Sequence, residues 1–215
     1  IDTILLNMFP GDELIISDDG STDNTVNIIK SYIEKDNRIK FYQIEHSGCN
    51  ANYENAINKC TGDIIVLSDD DNVWLPNKLE ETRKYFSEDQ NLTLLMHDCE
   101  VVDENLKQIC PSFMDYNHSK SGQWHNFVRS SFGGSLIAFR SSMKKYLLPF
   151  PKNMPFFYDD WIGLINEKHG KVLFVHKILS KWRRYVGASS TQFVNSDGTV
   201  SAEKQTKRFS FKNNW

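Results

Sequence analysis

The stretch Asp63-Ile-Ile-Val-Leu-Ser-Asp-Asp-Asp-Asn-Val-Trp74 joins an apolar run to three consecutive aspartates. A short apolar run rich in β-branched residues predicts a buried strand, here at 63–68. In open α/β sheets, ligands bind beyond the carboxyl ends of the strands. Three like charges at such an end repel one another, so the cluster needs a cation, protons or open water around it. What offsets the charge of Asp69, Asp70 and Asp71 therefore determines what the protein does.

Apolar runs alternate with amphipathic segments along the chain, in the order expected of an α/β domain. The first complete helix would follow a turn at 18–23, and Ser21 or Thr22 would be its N-cap. Continuous apolar strands between helices indicate a mostly parallel central sheet with helices on both faces. Strands are expected at 13–17, 38–44, 63–68, 92–96, 133–139 and 171–175, and further helices at about 50–60, 76–86 and 159–168.

The composition excludes several classes of protein. The chain has 215 residues with 25 basic and 28 acidic side chains, a formal net charge of −3, so no basic excess argues for a nucleic-acid partner. No apolar run approaches the roughly 20 residues that a membrane-spanning helix needs. The four cysteines form no C-x-x-C pair, which makes a zinc site unexpected and favours a reducing compartment. We therefore expect a cytoplasmic protein, and nothing in the sequence indicates an oligomeric state.

The two ends of the chain carry expectations of their own. The segment 1–9 reads as the end of a helix that stops at Pro10-Gly11, so we expect residues upstream of Ile1. The basic and aromatic segment 204–212 is suited to contact with an anionic membrane surface. The alternative for 204–212 is a mobile charged end.

Two acidic clusters lie at predicted strand ends, Asp18-Asp19 after 13–17 and Asp69 to Asp71 after 63–68. If both strands are central in one sheet, the clusters face one crevice that suits Mg²⁺ or Mn²⁺. A metal held by few carboxylates completes its shell with water and substrate phosphate, so the crevice suggests a phosphorylated ligand. No glycine-rich phosphate loop is present. The alternative is that each cluster is a polar loop with carboxylates near a helix N-terminus.

Three segments together carry a resemblance to a known family. They are 13–25 (ELIISDDGSTDNT), 46–53 (HSGCNANY) and 61–78 (TGDIIVLSDDDNVWLPNK). They resemble glycosyltransferase family 2 with the GT-A fold, in particular its bacterial rhamnosyltransferase-like branch. The resemblance covers most of residues 1 to 190. It implies one GT-A domain at 1–190, with a nucleotide-sugar-binding half to about 98 and an acceptor half from about 99, followed by a C-terminal extension at 191–215. It also implies that the family's first strand would precede Ile1.

The resemblance implies a role for each matching residue. Asp160 matches the catalytic base, and Asp71 together with Asp69 would ligate the metal. The donor nucleotide would contact Asp18, Asp19, Ser21, Asn52 and Asp69. The sugar and acceptor pocket would include Trp74, Gly133, Gly134, Ser135, Asp159 and Trp161, and the diphosphate would contact Arg183, Arg184 and Tyr185.

Several residues depart from the family pattern. Tyr185 stands where the late motif has a histidine, and Ala188 stands where it has an asparagine. Asn72 and His46 also replace the usual residues. The bland alternatives are that Asp160 is a helix N-cap, that the two arginines are ordinary surface residues, and that the two tryptophans belong to the core.

The reaction that the resemblance implies is a metal-dependent single displacement with inversion. A UDP- or dTDP-sugar would be the donor, and a saccharide or lipid-linked saccharide would be the acceptor in bacterial surface polysaccharide synthesis. A lipid-linked acceptor would place the protein at the inner face of the cell membrane as a peripheral protein. Two alternatives stay open: a haloacid-dehalogenase-like phosphatase with Asp69 as nucleophile and Mg²⁺ beside it, and a non-catalytic module that binds nucleotide sugars.

Overall fold

The computed structural model describes residues 1–185, in which eight strands alternate with helices. The strands are β1 Leu14–Asp18, β2 Ile39–Gln43, β3 Ile64–Val66, β4 Asn72–Trp74, β5 Leu92–Val102, β6 Gln108–Cys110, β7 Ile137–Arg140 and β8 Lys171–Arg183. The α-helices are α1 Asp2–Leu5, α2 Thr25–Ile33, α3 Cys49–Lys59, α4 Lys78–Glu88, α5 Phe113–Asn117, α6 Gln123–Val128, α7 Lys144–Leu147 and α8 Tyr158–His169. Two 3₁₀ turns, Gly134–Leu136 and Ser141–Met143, flank β7.

The strands form a six-stranded sheet and a separate parallel pair. The large sheet has the order β3-β7-β5-β8-β4, with β6 paired to β5, and within residues 1–185 the only partner of β1 is β2. This corrects the expectation of a mostly parallel sheet: β5 and β8 are parallel, whereas the other neighbours in the large sheet are antiparallel. The reason is that β7 runs opposite to both β3 and β5, β4 runs opposite to β8, and β6 runs opposite to β5. The predicted α/β class is confirmed.

Most predicted elements are present, but two strands are much longer than expected. The apolar runs at 92–96 and 171–175 continue as strands to Val102 and Arg183. Polar residues hide this continuation in the sequence, because His97 and Asp98 are buried between neighbouring strands. The Asp98 carboxylate is satisfied there by the backbone N–H groups of Cys99 and Met114, each at 2.8–2.9 Å. Buried polar groups of this kind are tolerated when they are hydrogen-bonded.

The predicted cap of the first complete helix is wrong. Helix α2 starts at Thr25 with Asn24 as its N-cap residue, and its cap makes no side-chain hydrogen bond within the described residues. Neither Ser21 nor Thr22 therefore caps it. Ser21 instead donates its hydroxyl to Asp18. The acidic turn is organised by its own side chains rather than by the helix that follows.

The main core fixes α8 against the large sheet. Leu94 and Met96 of β5 and Ile137 and Phe139 of β7 are fully buried, and they belong to one core cluster with Ile162 of α8. Gly163 permits the close approach, because a Cβ at that position would lie 2.2 Å from the Phe132 ring. The packing holds the first turn of α8 in a defined position beside the acidic loop. Within residues 1–185, no helix is both long enough and apolar enough to cross a bilayer.

Candidate active site

The acidic loop 69–71 connects β3 to β4 and is held from two sides by tyrosines. Asp69 Oδ1 accepts hydrogen bonds from the hydroxyl of Tyr53 on α3 and from the hydroxyl of Tyr158 on α8, the latter at 3.3 Å. The two rings are stacked, with centroids 3.5 Å apart and planes 12° from parallel. Asp69 is therefore fixed by elements from both halves of the chain.

Both tyrosines remain neutral donors to Asp69. Burial, followed by the negative charge of Asp69, raises the pKa of Tyr53 and of Tyr158 well above the usual value. Gly134 makes room for Tyr158, since a Cβ on Gly134 would lie 1.9 Å from the tyrosine hydroxyl oxygen. Gly134 therefore lies against a tyrosine of the site, whereas Gly133 packs against Leu136 and Phe113, and the role of both glycines in an acceptor pocket stays a prediction. Sequence reasoning missed both tyrosines as site residues, and the available signal was the position of Tyr158 directly before Asp159.

Asp71 has an unsatisfied carboxylate. Its Oδ1 atom is buried and lacks a hydrogen-bond partner in the described part of the chain. Burial, with added repulsion from Asp69 and Asp70, raises the pKa of Asp71 to about 6, and the Arg184 guanidinium partly opposes this. A bound cation would stabilise the ionised form of such a carboxylate.

The residues present fit a divalent metal that is shared with a ligand. No group of three His, Cys, Asp or Glu side chains within residues 1–185 is arranged to hold a metal ion unaided. The repelling carboxylates of Asp69 and Asp71, one of them with an unpartnered oxygen, supply two hard oxygen donors. Phosphate oxygens and water would have to complete the shell of Mg²⁺ or Mn²⁺.

The end of β8 brings positive charge to the acidic loop. Arg184 is 2% exposed, its backbone N–H donates to the Val102 carbonyl at 2.8 Å, and its guanidinium lies 4.7 Å from the Trp182 ring centroid. Burial lowers the pKa of Arg184, while Asp71, Tyr185 and Asp69 act to raise it. Arg183 is half-buried. The alternative that both arginines are ordinary surface residues is wrong for Arg184.

Asp159 and Asp160 lie in the first turn of α8, next to Tyr158. The N-cap residue of α8 is Phe157, so Asp160 is the third residue of the helix, and the N-cap alternative for it is wrong. Asp159 Oδ1 accepts from the backbone N–H of Asp160 at 3.0 Å. Burial, followed by the charges of Asp160 and Asp69, raises the pKa of Asp159 to about 7. A carboxyl group with a pKa in this range, such as Asp159, is suited to proton transfer at neutral pH.

The end of β1 forms a second acidic region with a different character. Asp18 Oδ2 accepts from the backbone N–H groups of Gly20 and Ser21 and from Gln43 Nε2, at 2.9–3.1 Å. Burial pushes the pKa of Asp18 upward, but these hydrogen bonds and the one from the Ser21 hydroxyl lower it overall. Asp19 accepts from the backbone N–H groups of Ser47 and Gly48.

Helix α3 links the two acidic regions. Asn52 donates from Nδ2 to the Ser17 carbonyl at 3.1 Å, and the next residue, Tyr53, reaches Asp69. The buried Asn52 Oδ1 has no hydrogen-bond partner among the described residues. A cavity lined by Gly20, Gln43, Ile44, Glu45 and His46 opens beside Asp18. It lies at the carboxyl ends of β1 and β2, where α/β sheets bind ligands.

The remaining predicted residues support the site from the core. Trp74 is 5% exposed and donates from Nε1 to Ser68 Oγ at 3.1 Å, and Trp161 donates from Nε1 to the Leu147 carbonyl at 3.0 Å. Lys78, which sequence reasoning missed, lies fully buried 4.3 Å from the Trp74 ring centroid and donates to the Ser135 carbonyl at 3.3 Å. Burial lowers its pKa to about 7. Because Lys78 lies in an ordinary amphipathic helix, its burial had no sequence signal.

The structure thus brings Asp69, Asp71, Asp159, Asp160 and Arg184 into one electrostatic group. Asn52 and Tyr53 of α3 connect this group to the turn that carries Asp18, Asp19 and Ser21. Ala188, the end of the late motif, the boundary at 190 and the extension 191–215 lie outside the described residues.

Comparison with known proteins identifies the family of the chain and its fold. The model of "Glycosyl transferase family 2" matches residues 1–147. A Campylobacter jejuni protein, GalNAc(5)-diNAcBac-PP-undecaprenol beta-1,3-glucosyltransferase, is 27% identical over 179 residues, which are 80% of this chain and 55% of the relative. The chain therefore spans about half the length of that relative.

Two solved structures have the same fold. S. aureus TarS 1-349 in complex with UDP-GlcNAc matches with a TM-score of 0.64 at 17% identity, over 86% of this chain and 54% of TarS. Mannosyltransferase PcManGT from Pyrobaculum calidifontis, in complex with GDP-Man and Mn²⁺, matches with a TM-score of 0.59 at 17% identity, over 84% and 50%. These matches confirm the predicted GT-A fold. The chain belongs to glycosyl transferase family 2, and the rhamnosyltransferase-like branch stays a prediction.

Proposed function

We propose that this member of glycosyl transferase family 2 transfers a sugar from a UDP- or dTDP-linked donor to a saccharide or lipid-linked saccharide, with inversion, in the assembly of a bacterial surface polysaccharide. One observation carries the proposal: the stacked Tyr53 and Tyr158 bring the Asp69–Asp71 loop next to the Asp159-Asp160 pair. One acidic group is suited to a donor diphosphate, and the other is suited to proton removal from an acceptor.

The assignment of the donor rests on the two acidic regions. The cavity beside Asp18 would take the nucleotide, with the Asn52 Oδ1 atom as an available acceptor. TarS, which has the same fold, binds UDP-GlcNAc, and the Campylobacter relative is named as a glucosyltransferase for an undecaprenol-linked saccharide. The first name favours a nucleotide sugar as donor, and the second favours a lipid-linked saccharide as acceptor.

Asp71 and Asp69 would hold Mn²⁺ or Mg²⁺, and the neutralisation of the donor diphosphate is the chemistry that the metal supplies when bound. PcManGT contains Mn²⁺ together with its nucleotide sugar. Arg184 adds a positive charge that already acts on Asp71 and Asp69, and it would stabilise the negative charge of the leaving diphosphate.

The reaction would proceed in one displacement. Asp160 takes the proton from an acceptor hydroxyl, the acceptor oxygen forms a bond to the anomeric carbon, and the bond from that carbon to the nucleoside diphosphate breaks with its electron pair. Asp159, with a pKa of about 7, holds its proton more readily than an ordinary carboxyl and so limits repulsion next to Asp160. The mechanism predicts inversion, since a single displacement occurs at the anomeric carbon.

The function is tested by nucleotide binding and by turnover. Nucleoside diphosphates and their sugars can be screened by thermal shift, with and without Mn²⁺. One class of nucleotide should raise the melting temperature of the protein. Asp160→Asn should keep that shift and reduce turnover of the matching sugar about 10²- to 10⁴-fold. If no nucleotide stabilises the protein, the donor assignment is wrong. Binding without turnover over a broad acceptor panel would favour the non-catalytic alternative instead.

A further inference from the structure

Helix α6 turns its apolar side chains outward. Trp124, Phe127 and Val128, at positions i, i+3 and i+4, are 84%, 69% and 80% exposed. The polar Asn126 of the same helix is 4% exposed. This arrangement is the reverse of an ordinary surface helix, in which the apolar face points to the core. We call Trp124, Phe127 and Val128 the α6 surface.

The outward orientation is fixed by hydrogen bonds on the inner side of the helix. Asn126 Nδ2 donates to Glu167 Oε1 at 2.8 Å and to the Lys120 carbonyl at 3.0 Å, while its Oδ1 accepts from the Ser131 N–H at 2.9 Å. Glu167 also accepts from the N–H of Gly122 at 2.7 Å. A buried polar network of this kind holds one orientation, because rotation of the helix would leave its members without partners.

Two basic residues flank the α6 surface in the sequence, while the Glu167 carboxylate lies on the inner side of the helix. The segment 120–129 contains Lys120 and Arg129, both exposed, and no carboxylate, although the whole chain has a formal net charge of −3. Lys168, directly after Glu167 on α8, is also exposed. Exposed aromatic residues flanked by Lys and Arg are the pattern of segments that lie in a membrane interface.

We propose that the α6 surface docks the protein on an anionic lipid bilayer. Trp124 and Phe127 would enter the headgroup region, and Lys120, Arg129 and Lys168 would meet the negative surface charge. The exposed apolar residues by themselves would fit a protein partner as well as a membrane. The nearby basic residues Lys120, Arg129 and Lys168 favour a membrane that contains anionic lipid. The proposal does not depend on the donor or on the transfer reaction, so either one can fail alone.

The test is vesicle co-sedimentation of the full chain, with vesicles of phosphatidylcholine alone or with about one third phosphatidylglycerol. The double variant Trp124→Ser/Phe127→Ser should bind the anionic vesicles at least about tenfold more weakly. Leu6→Ser, at an apolar residue that is 85% exposed on another part of the surface, is the matched control and should bind like the wild type. The basic segment 204–212 is present in all three proteins, so its contribution cancels.

Fluorescence and size measurements complete the test. Wild-type emission should shift to the blue with anionic vesicles, and Trp124→Phe should lose that shift while it keeps binding. Equal binding by the double variant and the control overturns the proposal, as does equal binding to neutral and anionic vesicles. A dimer in solution that the double variant converts to a monomer also overturns it, since a second copy would then cover the α6 surface.

Discussion

The two acidic strand ends have similar sequences but opposite chemical states. The Asp18 carboxylate is saturated by donors from its own turn and from Gln43, and its pKa is lowered. At the other strand end, Asp71 has a buried oxygen without a partner among residues 1–185, and its pKa is raised to about 6. The Asp18 carboxylate accepts hydrogen bonds that hold the turn after β1 in shape. The Asp71 carboxylate has an oxygen that remains able to bind a ligand. Aspartates after a strand therefore identify a site only when their hydrogen bonds are known.

The largest effect is expected at Asp71. Asp71→Asn should reduce metal-dependent turnover at least about 100-fold, because it removes a charged oxygen ligand of the metal that would neutralise the diphosphate. It should also abolish the rise in melting temperature on addition of Mn²⁺. Asp70→Gln is the matched control: Asp70 is exposed, and the variant should keep metal-dependent activity. An equal loss of metal-dependent turnover in Asp71→Asn and Asp70→Gln would contradict the prediction that, of these two residues, only Asp71 binds the metal.

A smaller and different effect is expected at Asp18. Asp18→Asn places an amide group against backbone N–H donors, which should cost about 2 kcal/mol of unfolding free energy. The corresponding fall in melting temperature is about 4–8 °C for a domain of this size. Chemical denaturation and nucleotide titration would measure the change in stability and in donor affinity. A fully stable variant that has lost only donor affinity would show that Asp18 acts on the ligand and not on the loop.

The smallest effects are opposite pH dependences of stability. The Asp71 pKa is raised when the protein folds, so the folded state keeps its proton longer and stability falls as pH rises from about 4 to about 6. Asp71→Asn should remove that fall. The Asp18 pKa is lowered, so its contribution is present above the unfolded value near 3.8 and is lost as pH decreases below it. Melting temperatures of the two Asn variants between pH 3 and 8 would detect the two signs, and slopes of the same sign would contradict the comparison.

The sequence allowed some levels of the structure to be predicted better than others. Local patterns located the strands that end at Asp18 and just before Asp69, because apolar runs and the turns after them are local features. The stacking of Tyr53 on Tyr158 and the burial of Lys78 depend on packing between residues far apart in the chain, which no local pattern encodes. The antiparallel direction of β7 was also not predicted, because the sequence of a strand does not indicate the direction of its neighbours in the sheet.

The stacked tyrosines also have a mechanical consequence. Tyr53 belongs to α3, whose Asn52 is hydrogen-bonded to the end of β1, and Tyr158 is the first residue of α8, which carries the Asp159-Asp160 pair. Both tyrosine hydroxyls donate to one oxygen of Asp69. Tyr158 packs directly against Gly134, because a Cβ atom on residue 134 would collide with the tyrosine hydroxyl. A displacement of the α8 first turn must therefore move the Asp69 carboxylate or break its hydrogen bond. The proposed general base on α8 and the proposed metal-binding loop are thus mechanically coupled through one hydrogen-bonded carboxylate.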